Sequence, residues 1–198
     1  AEKTPEQAAR MISITGSPRE QILVDIATEF SNTTLAGDNI RLVKFGVVDA
    51  GAKTEREATT GELLTAFAIS TPPQDLLRSL DTKVSYGVLS SGSLSGFLRL
   101  RSRSYPETFA GMLLFEPKMA EGLIPALRPD IKRSDVALLR ERAFKDERIL
   151  EVNARVLSGP GGDSVLAYAF PDQKILIIAG GREALRMLIE TFRSEDKQ

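Results

Sequence analysis

The chain contains neither cysteine nor histidine. Without cysteine there can be no disulfide, no thiolate nucleophile and no zinc–sulfur site. Without histidine the commonest general base and the commonest transition-metal ligand are missing, and a Ser-His-Asp triad is excluded outright. Neither absence fixes a compartment. No stretch approaches the roughly 20 apolar residues of a membrane span, and no signal-peptide pattern is present. An excess of basic residues is lacking too: the net charge is −1, which argues against a general nucleic-acid binder.

What remains is an ordinary folded composition. The 198 residues are 42% hydrophobic and 27% charged, enough for one large domain or two small interlocked ones. Residues 1–10 read as an N-terminal tail or linker, and 11–198 as a single domain with a candidate division into 11–82 and 83–198. The chain begins at Ala1 without an initiator Met, as a processed or excised product would.

Periodicity divides the chain into short strands and helices. "RMISIT" (10–15) reads as a strand, followed by a helix in "SPREQILVDIATEF", with Ser17 as N-cap, Pro18 at the first helical position and Glu20 closing a capping box. Thr71, Pro72 and Gln74 repeat that arrangement ahead of "PPQDLLRSL". "NIRLVKFGVVD" (39–49) reads as a strand and 49–61 as an exposed polar connection before the helix in "GELLTAFAI". "KVSYGVL" and "LSGFLRLRSR" form a hairpin through "SSGS". Residues 119–142 are helical in character but interrupted at Pro125 and Pro129. "ILEVNARVL", "DSVLAYAF" and "KILIIAG" then read as three strands, the first two joined by the turn "SGPGGD". Leu185, Leu188, Ile189 and Phe192 mark a closing amphipathic helix. The expected class is α+β: mainly antiparallel sheet, because hairpins and consecutive strands dominate, with helices packed on one side. "ISITGSPREQILVDIATEF" and "ILIIAGGREALRMLIETF" are alike enough to allow two related strand–helix halves.

Few residues suggest chemistry. "IIAGGRE" puts two glycines ahead of a helix, where a phosphate could rest, but it lacks both G-x-G-x-x-G and a P-loop ending, so a tight turn is the simpler reading. "GSLSG" (92–96) has Leu94 at the nucleophile position and is a turn. Glu20 and Glu107 each follow a serine by three residues and read as caps, while Asp146 and Glu147 are flanked by Lys145 and Arg148 as compensated surface charge. No calcium-loop spacing is present. Arg99, Arg101 and Arg103 alternate on one strand face, opposite Leu98 and Leu100; a solvated outer face is the first reading and contact with an acidic partner the second.

The residue most out of place is Glu116. In a helix Tyr105, Phe109 and Met112 form one stripe, and Glu116 falls in its middle, directly before Pro117. A residue before proline is pushed out of the α region, so the helix is expected to end near Phe115 and a second to begin at Pro117 and run towards Leu127. Glu116 then becomes a junction residue, its carboxylate on free backbone amides or on an arginine, with a ligand or interaction site as the alternative. Ala110 and Gly111 lie mid-helix, where glycine costs about 1 kcal/mol, and so point to close approach of another element.

Three segments, "TGELLTAFAISTPPQDLLRSLDTKVSYGVL", "SYPETFAGMLLFEPKM" and "FKDERILEVNARVLSGPGGDSVLAYAFPDQKILIIAG", resemble a group of uncharacterised proteins of the candidate phyla radiation (Patescibacteria and Parcubacteria-like lineages). The likeness runs from Met11 to Phe192 and is most specific at Tyr105, Ala110, Gly111, Met112 and Glu116, and at Asn153, Arg155, Val156, Leu157, Tyr168 and Phe170. Phe115 stands where the group would have Trp, and Ala179-Gly180 where it would have a polar pair. The resemblance implies a domain anchored to a membrane by an N-terminal segment that lies outside this chain, and facing away from the cytoplasm. It transfers no catalytic residue.

The expectation is therefore a non-catalytic assembly or interaction domain, with protein partners or self-association, no nucleic acid, and no cofactor or metal. Its candidate interaction residues are Glu116, Arg99, Arg101 and Arg103. A hydrolase or ligand-binding enzyme working through carboxylates or a divalent metal is the alternative, and a cytoplasmic location the alternative to an anchored one.

Overall fold

The computed structural model describes residues 11–33, 35, 40–48 and 54–195. The proposed tail at 1–10, Asn39 and Asp49 of the expected strand, and 50–53 of the polar connection lie outside the described residues.

One sheet organises everything else. Its strands, in chain order, are β1 (Met11–Ser13), β2 (Ile40–Val48), β3 (Glu55–Glu57), β4 (Leu80–Ser90), β5 (Leu94–Ser102), β6 (Lys145–Ile149), β7 (Val152–Ser158), β8 (Ser164–Ala169) and β9 (Ile175–Ala179). The order across the sheet is β1-β2-β4-β5-β9-β8-β7-β6, with β3 pairing β2. Among these pairs only β1–β2 is parallel. The helices are α1 (Arg19–Asn32), α2 (Thr60–Phe67), α3 (Gln74–Ser79), α4 (Tyr105–Leu127), α5 (Arg133–Leu139) and α6 (Arg182–Glu195). The α+β class and the mainly antiparallel sheet are as expected. The division weighed at 82/83 falls inside β4, which pairs with β2 on one side and β5 on the other.

Alternation along the strands splits the apolar residues between two faces. Leu176 and Ile178 of β9 join the larger core under α1 to α5, while Ile177 and Ala179 join a smaller core with Ala184, Leu185, Leu188 and Ile189 of α6. Helices thus lie on both faces, a correction to the one-sided arrangement: β9 is interior and apolar on both sides, so its second face also requires cover. The two similar strand–helix units sit in different settings. β1–α1 lies at one end of the sheet and packs on the larger core; β9 lies in the middle and α6 packs on the other face.

Several boundaries differ from expectation. α1 starts at Arg19 with Pro18 as N-cap and no side-chain cap, because Gly16 turns with φ +67° and Pro18 is extended; Glu20 pairs with Arg133 instead. α3 is likewise capped by Pro73 without a side-chain bond, and the Ser104–Glu107 box does not form at α4. The capping box is at Thr59 and Glu62: the Glu62 amide donates to the Thr59 hydroxyl, and Glu62 Oε2 accepts from the Thr59 amide at 2.8 Å. Part of the expected polar connection is strand β3. "ILEVNARVL" is not one strand, since Leu150 (φ 49°) and Glu151 (φ 64°) make a two-residue turn between β6 and β7.

The largest departure is α4, which runs unbroken for 23 residues through Pro117 and Pro125. A mid-helix proline normally costs about 3 kcal/mol, because its ring crowds the preceding turn and the carbonyl four residues back loses its donor. Met112, Phe115, Met119, Ala120, Leu123 and Ile124 make one buried stripe across both prolines, and that burial outweighs the penalty. Leu113, whose carbonyl Pro117 leaves unpaired, is exposed, as is Pro117 itself. At Pro125 the orphan is the carbonyl of Glu121, and Arg19 fills it: its Nη2 donates to Glu121 O at 2.7 Å and its Nε to Phe67 O at 2.7 Å. One guanidinium thus joins the starts of α1 and the ends of α2 to the middle of α4.

Gly111 behaves as its position in the helix suggests. A Cβ there would lie 2.8 Å from Leu76 Cβ and 2.9 Å from Leu76 Cα, so α3 presses backbone to backbone on α4. Gly111→Leu is expected to destabilise the fold by at least ~1–3 kcal/mol, whereas Ala110→Leu, at an exposed neighbouring site, changes it by less than ~0.5 kcal/mol. Urea denaturation of the two variants measures the difference.

Candidate functional site

Because α4 continues through Pro117, Glu116 is not a junction residue and caps no helix. Its side chain leaves the helix midway and meets the sheet. On the sheet, Asp146, Arg155 and Tyr168 form one cross-strand row, Asp146 pairing Arg155 and Arg155 pairing Tyr168 in register. Arg155 grips Glu116 with both prongs of its fork: Nε donates to Oε1 and Nη2 to Oε2, each at 2.8 Å. The Tyr168 hydroxyl donates to Oε1 at 2.7 Å, and Arg155 Nη1 donates to Asp146 at 3.0 Å. The Glu116 and Arg155 side chains are 12% and 19% exposed, dry enough for a bidentate pair to hold firmly.

The electrostatics lock this arrangement. Glu116, followed by Asp146, raises the Arg155 guanidinium well above its ordinary value. Burial, reinforced by the hydrogen bond to Glu116, raises the Tyr168 phenol in the same direction. The arginine and the phenol both stay protonated near neutral pH. The arrangement ties helix to sheet. Glu29, the other well-buried carboxylate at 7% side-chain exposure, is paired with Arg41 at 3.3 Å.

A cleft of about 680 Å³ opens beside this cluster at the end of the sheet, lined on the strand side by Arg148, Asn153 and Arg155 together with Asp146, Glu147 and Glu151. The opposite wall is aromatic. Phe170 meets Tyr105 edge-on with ring centroids 5.0 Å apart, and Tyr105 stacks on Phe109 at 5.9 Å. Tyr105 and Phe109 are therefore half-buried, and of the stripe they share only Met112 is fully buried.

The other sequence candidates resolve individually. Asp146 and Glu147 are compensated, but by distant arginines: Asp146 by Arg155, Glu147 by Arg182, while Arg148 pairs with Glu151. At "IIAGGRE" the Arg182 amide is taken by the Ser164 hydroxyl at 2.8 Å, a Cβ at Gly180 would lie 2.7 Å from the Leu127 carbonyl, and Gly181 turns with φ +131°, so the two glycines serve a close approach and a tight turn. "GSLSG" is the β4–β5 turn leading into β5, with Gly92 at φ +87°. Arg99 and Arg101 share a face of β5, whereas Arg103 lies past the strand's end. Arg99 stands over the Phe192 ring at 5.0 Å, so its side is partly covered by α6. Among the described residues no three acidic side chains converge as metal ligands, and no helix is long and apolar enough to cross a membrane.

Sequence reasoning singled out Glu116 and allowed it an arginine, but missed which one. The signal was available in "VNARVL": an arginine set among apolar strand residues, once partly buried, needs an acid partner. Comparison of the chain with protein-family models, with curated proteins and with solved structures finds no match.

Glu116→Gln removes the charge while keeping the shape, and leaves Arg155 partly buried with only Asp146 as a charged partner. The expected loss is about 2–3 kcal/mol. Tyr168→Phe removes one hydrogen bond to a charged group and should cost about 1.5 kcal/mol. Thermal denaturation of both variants checks the order and size of these losses.

Proposed function

We propose that this chain is a non-catalytic assembly or interaction domain. The observation that carries the reading is the state of Glu116: each carboxylate oxygen accepts from Arg155, and one accepts from Tyr168 as well. A carboxylate so enclosed has its lone pairs aimed at fixed donors rather than at a substrate. Glu29 is held by a single, longer contact from Arg41 at 3.3 Å. The cleft beside Glu116 offers apolar and hydrogen-bonding surface for recognition, and the carboxylates that line it, Asp146, Glu147 and Glu151, are each paired with an arginine.

The resemblance noted in the sequence supports a setting for this role: the domain is held at a membrane by a segment that precedes it and works outside the cytoplasm. Protein partners, or further copies of the chain, are the ligands that such a domain takes.

The test uses the full gene product in its native cell. Membrane fractionation followed by cross-linking is expected to recover the protein in the membrane fraction, joined to a protein partner or to itself. Purified domain is expected to give no turnover on a hydrolase substrate panel, with or without divalent metal. Turnover that is lost in Glu116→Gln without loss of folding would overturn the reading.

A further inference from the structure

Among the described residues, the second face of the sheet is covered over only part of its width. α6 packs its apolar stripe on β8 and β9. One helix covers about two strands, since helix axes lie about 8–10 Å apart and strands about 4.8 Å. The next three strands on that face are β5, β4 and β2. Ser85 is exposed although β4 is hydrogen-bonded along both edges, and Leu42 and Ile40 of β2 are 56% and 37% exposed. Between them and α6 runs a trough of about 290 Å³. Phe97 and Ile177 form its floor, and Leu188 and Phe192 its wall on the α6 side. The floor is flat for a visible reason: Phe97 lies across Gly87, where a Cβ would come within 2.6 Å of the ring.

The charged residues nearest this trough on the strands that frame it are basic. Arg99 lines it, set against Phe192, and Arg101 follows two residues along the same face. Lys83 lies two residues before Ser85 on β4, and Lys44 two residues after Leu42 on β2, bound to Glu57 at 2.8 Å. On α6, Glu183 and Glu190 are both drawn onto Arg186. We propose that an acidic amphipathic helix of a partner protein docks in this trough beside α6, its apolar stripe on Leu42, Phe97 and Leu188 and its carboxylates on Arg101 and Lys83. A second copy of this chain would bring the same basic residues face to face, and like charges so opposed cost several kcal/mol. This assignment rests on the interaction-domain reading and names the surface and partner class for it.

The probe is a displayed library of random helical peptides of about 14 residues, about 21 Å long, selected on the purified domain. Enriched peptides are expected to carry apolar residues at i, i+3 or i+4 and i+7 with Asp or Glu flanking them. Their affinity is expected to drop at least about tenfold with Leu42→Asp and with Arg101→Glu, and to weaken with added salt. Leu114→Asp, at an exposed apolar site on α4, should leave binding intact, and thermal melts of all three variants should match the parent protein. Enriched peptides indifferent to both trough variants, or no enrichment at all, would overturn the docking site while leaving the interaction-domain reading to its own test. So would variant-sensitive binding to vesicles of phosphatidylcholine and phosphatidylserine, or dimerisation lost in Leu42→Asp, in the absence of peptide binding.

Discussion

The bidentate bond between Glu116 and Arg155 sits at the weakest point of the longest helix. Glu116 precedes Pro117, and a residue before proline is disfavoured in the α region. Here the carboxylate is drawn to Arg155 and Tyr168, which the strand register presents side by side. Holding that carboxylate against the sheet keeps Glu116 helical and lets Phe115 and Met119, on either side of the proline, bury in the same core. The Arg19 guanidinium serves the second proline by replacing the donor that Glu121 lost. At the far end, Tyr86 donates to the carbonyl of Ala126 at 2.5 Å, and Gly96 leaves room for Leu127. A helix with two internal prolines is continuous because residues far from it in sequence supply what it lacks.

This explains what could and could not be read in advance. Hairpins are local, so "SSGS" and "SGPGGD" marked theirs correctly, and the i, i+3, i+4, i+7 apolar spacing marked α6. Gly111 pointed to a close approach because a mid-helix glycine has a local cost and needs a non-local reason. The breaks assigned at Pro117 and Pro125 failed for the converse reason. Proline reports a local penalty, while the compensation comes from Arg19 and from a buried stripe that only the tertiary fold assembles. The β6–β7 turn was invisible because Leu150 and Glu151 carry none of the Gly, Asn or Asp that positive φ usually requires. In the candidate site, Glu116 stood out as an acid on an apolar stripe, whereas its partners follow from the register of β7 and β8.

The same construction separates holding from binding. The best-buried charges are consumed internally, Glu116 by Arg155 and Glu29 by Arg41. What the fold leaves outward is of another kind: an aromatic-walled cleft at one end of the sheet, and an apolar trough framed by basic side chains beside α6. The arginine face read from "RLRSRS" divides accordingly, with Arg99 and Arg101 at the trough and Arg103 beyond the strand.

The central claim, that Glu116 fastens α4 to the sheet through Arg155, is tested most directly by a double-mutant cycle. Stability would be measured by urea denaturation for the parent chain, Glu116→Gln, Arg155→Met and the double variant. The account predicts a coupling energy of about 2 kcal/mol, the double variant being little worse than either single one. Coupling indistinguishable from zero, with both single variants as stable as the parent, would contradict it and return Glu116 to the list of functional residues.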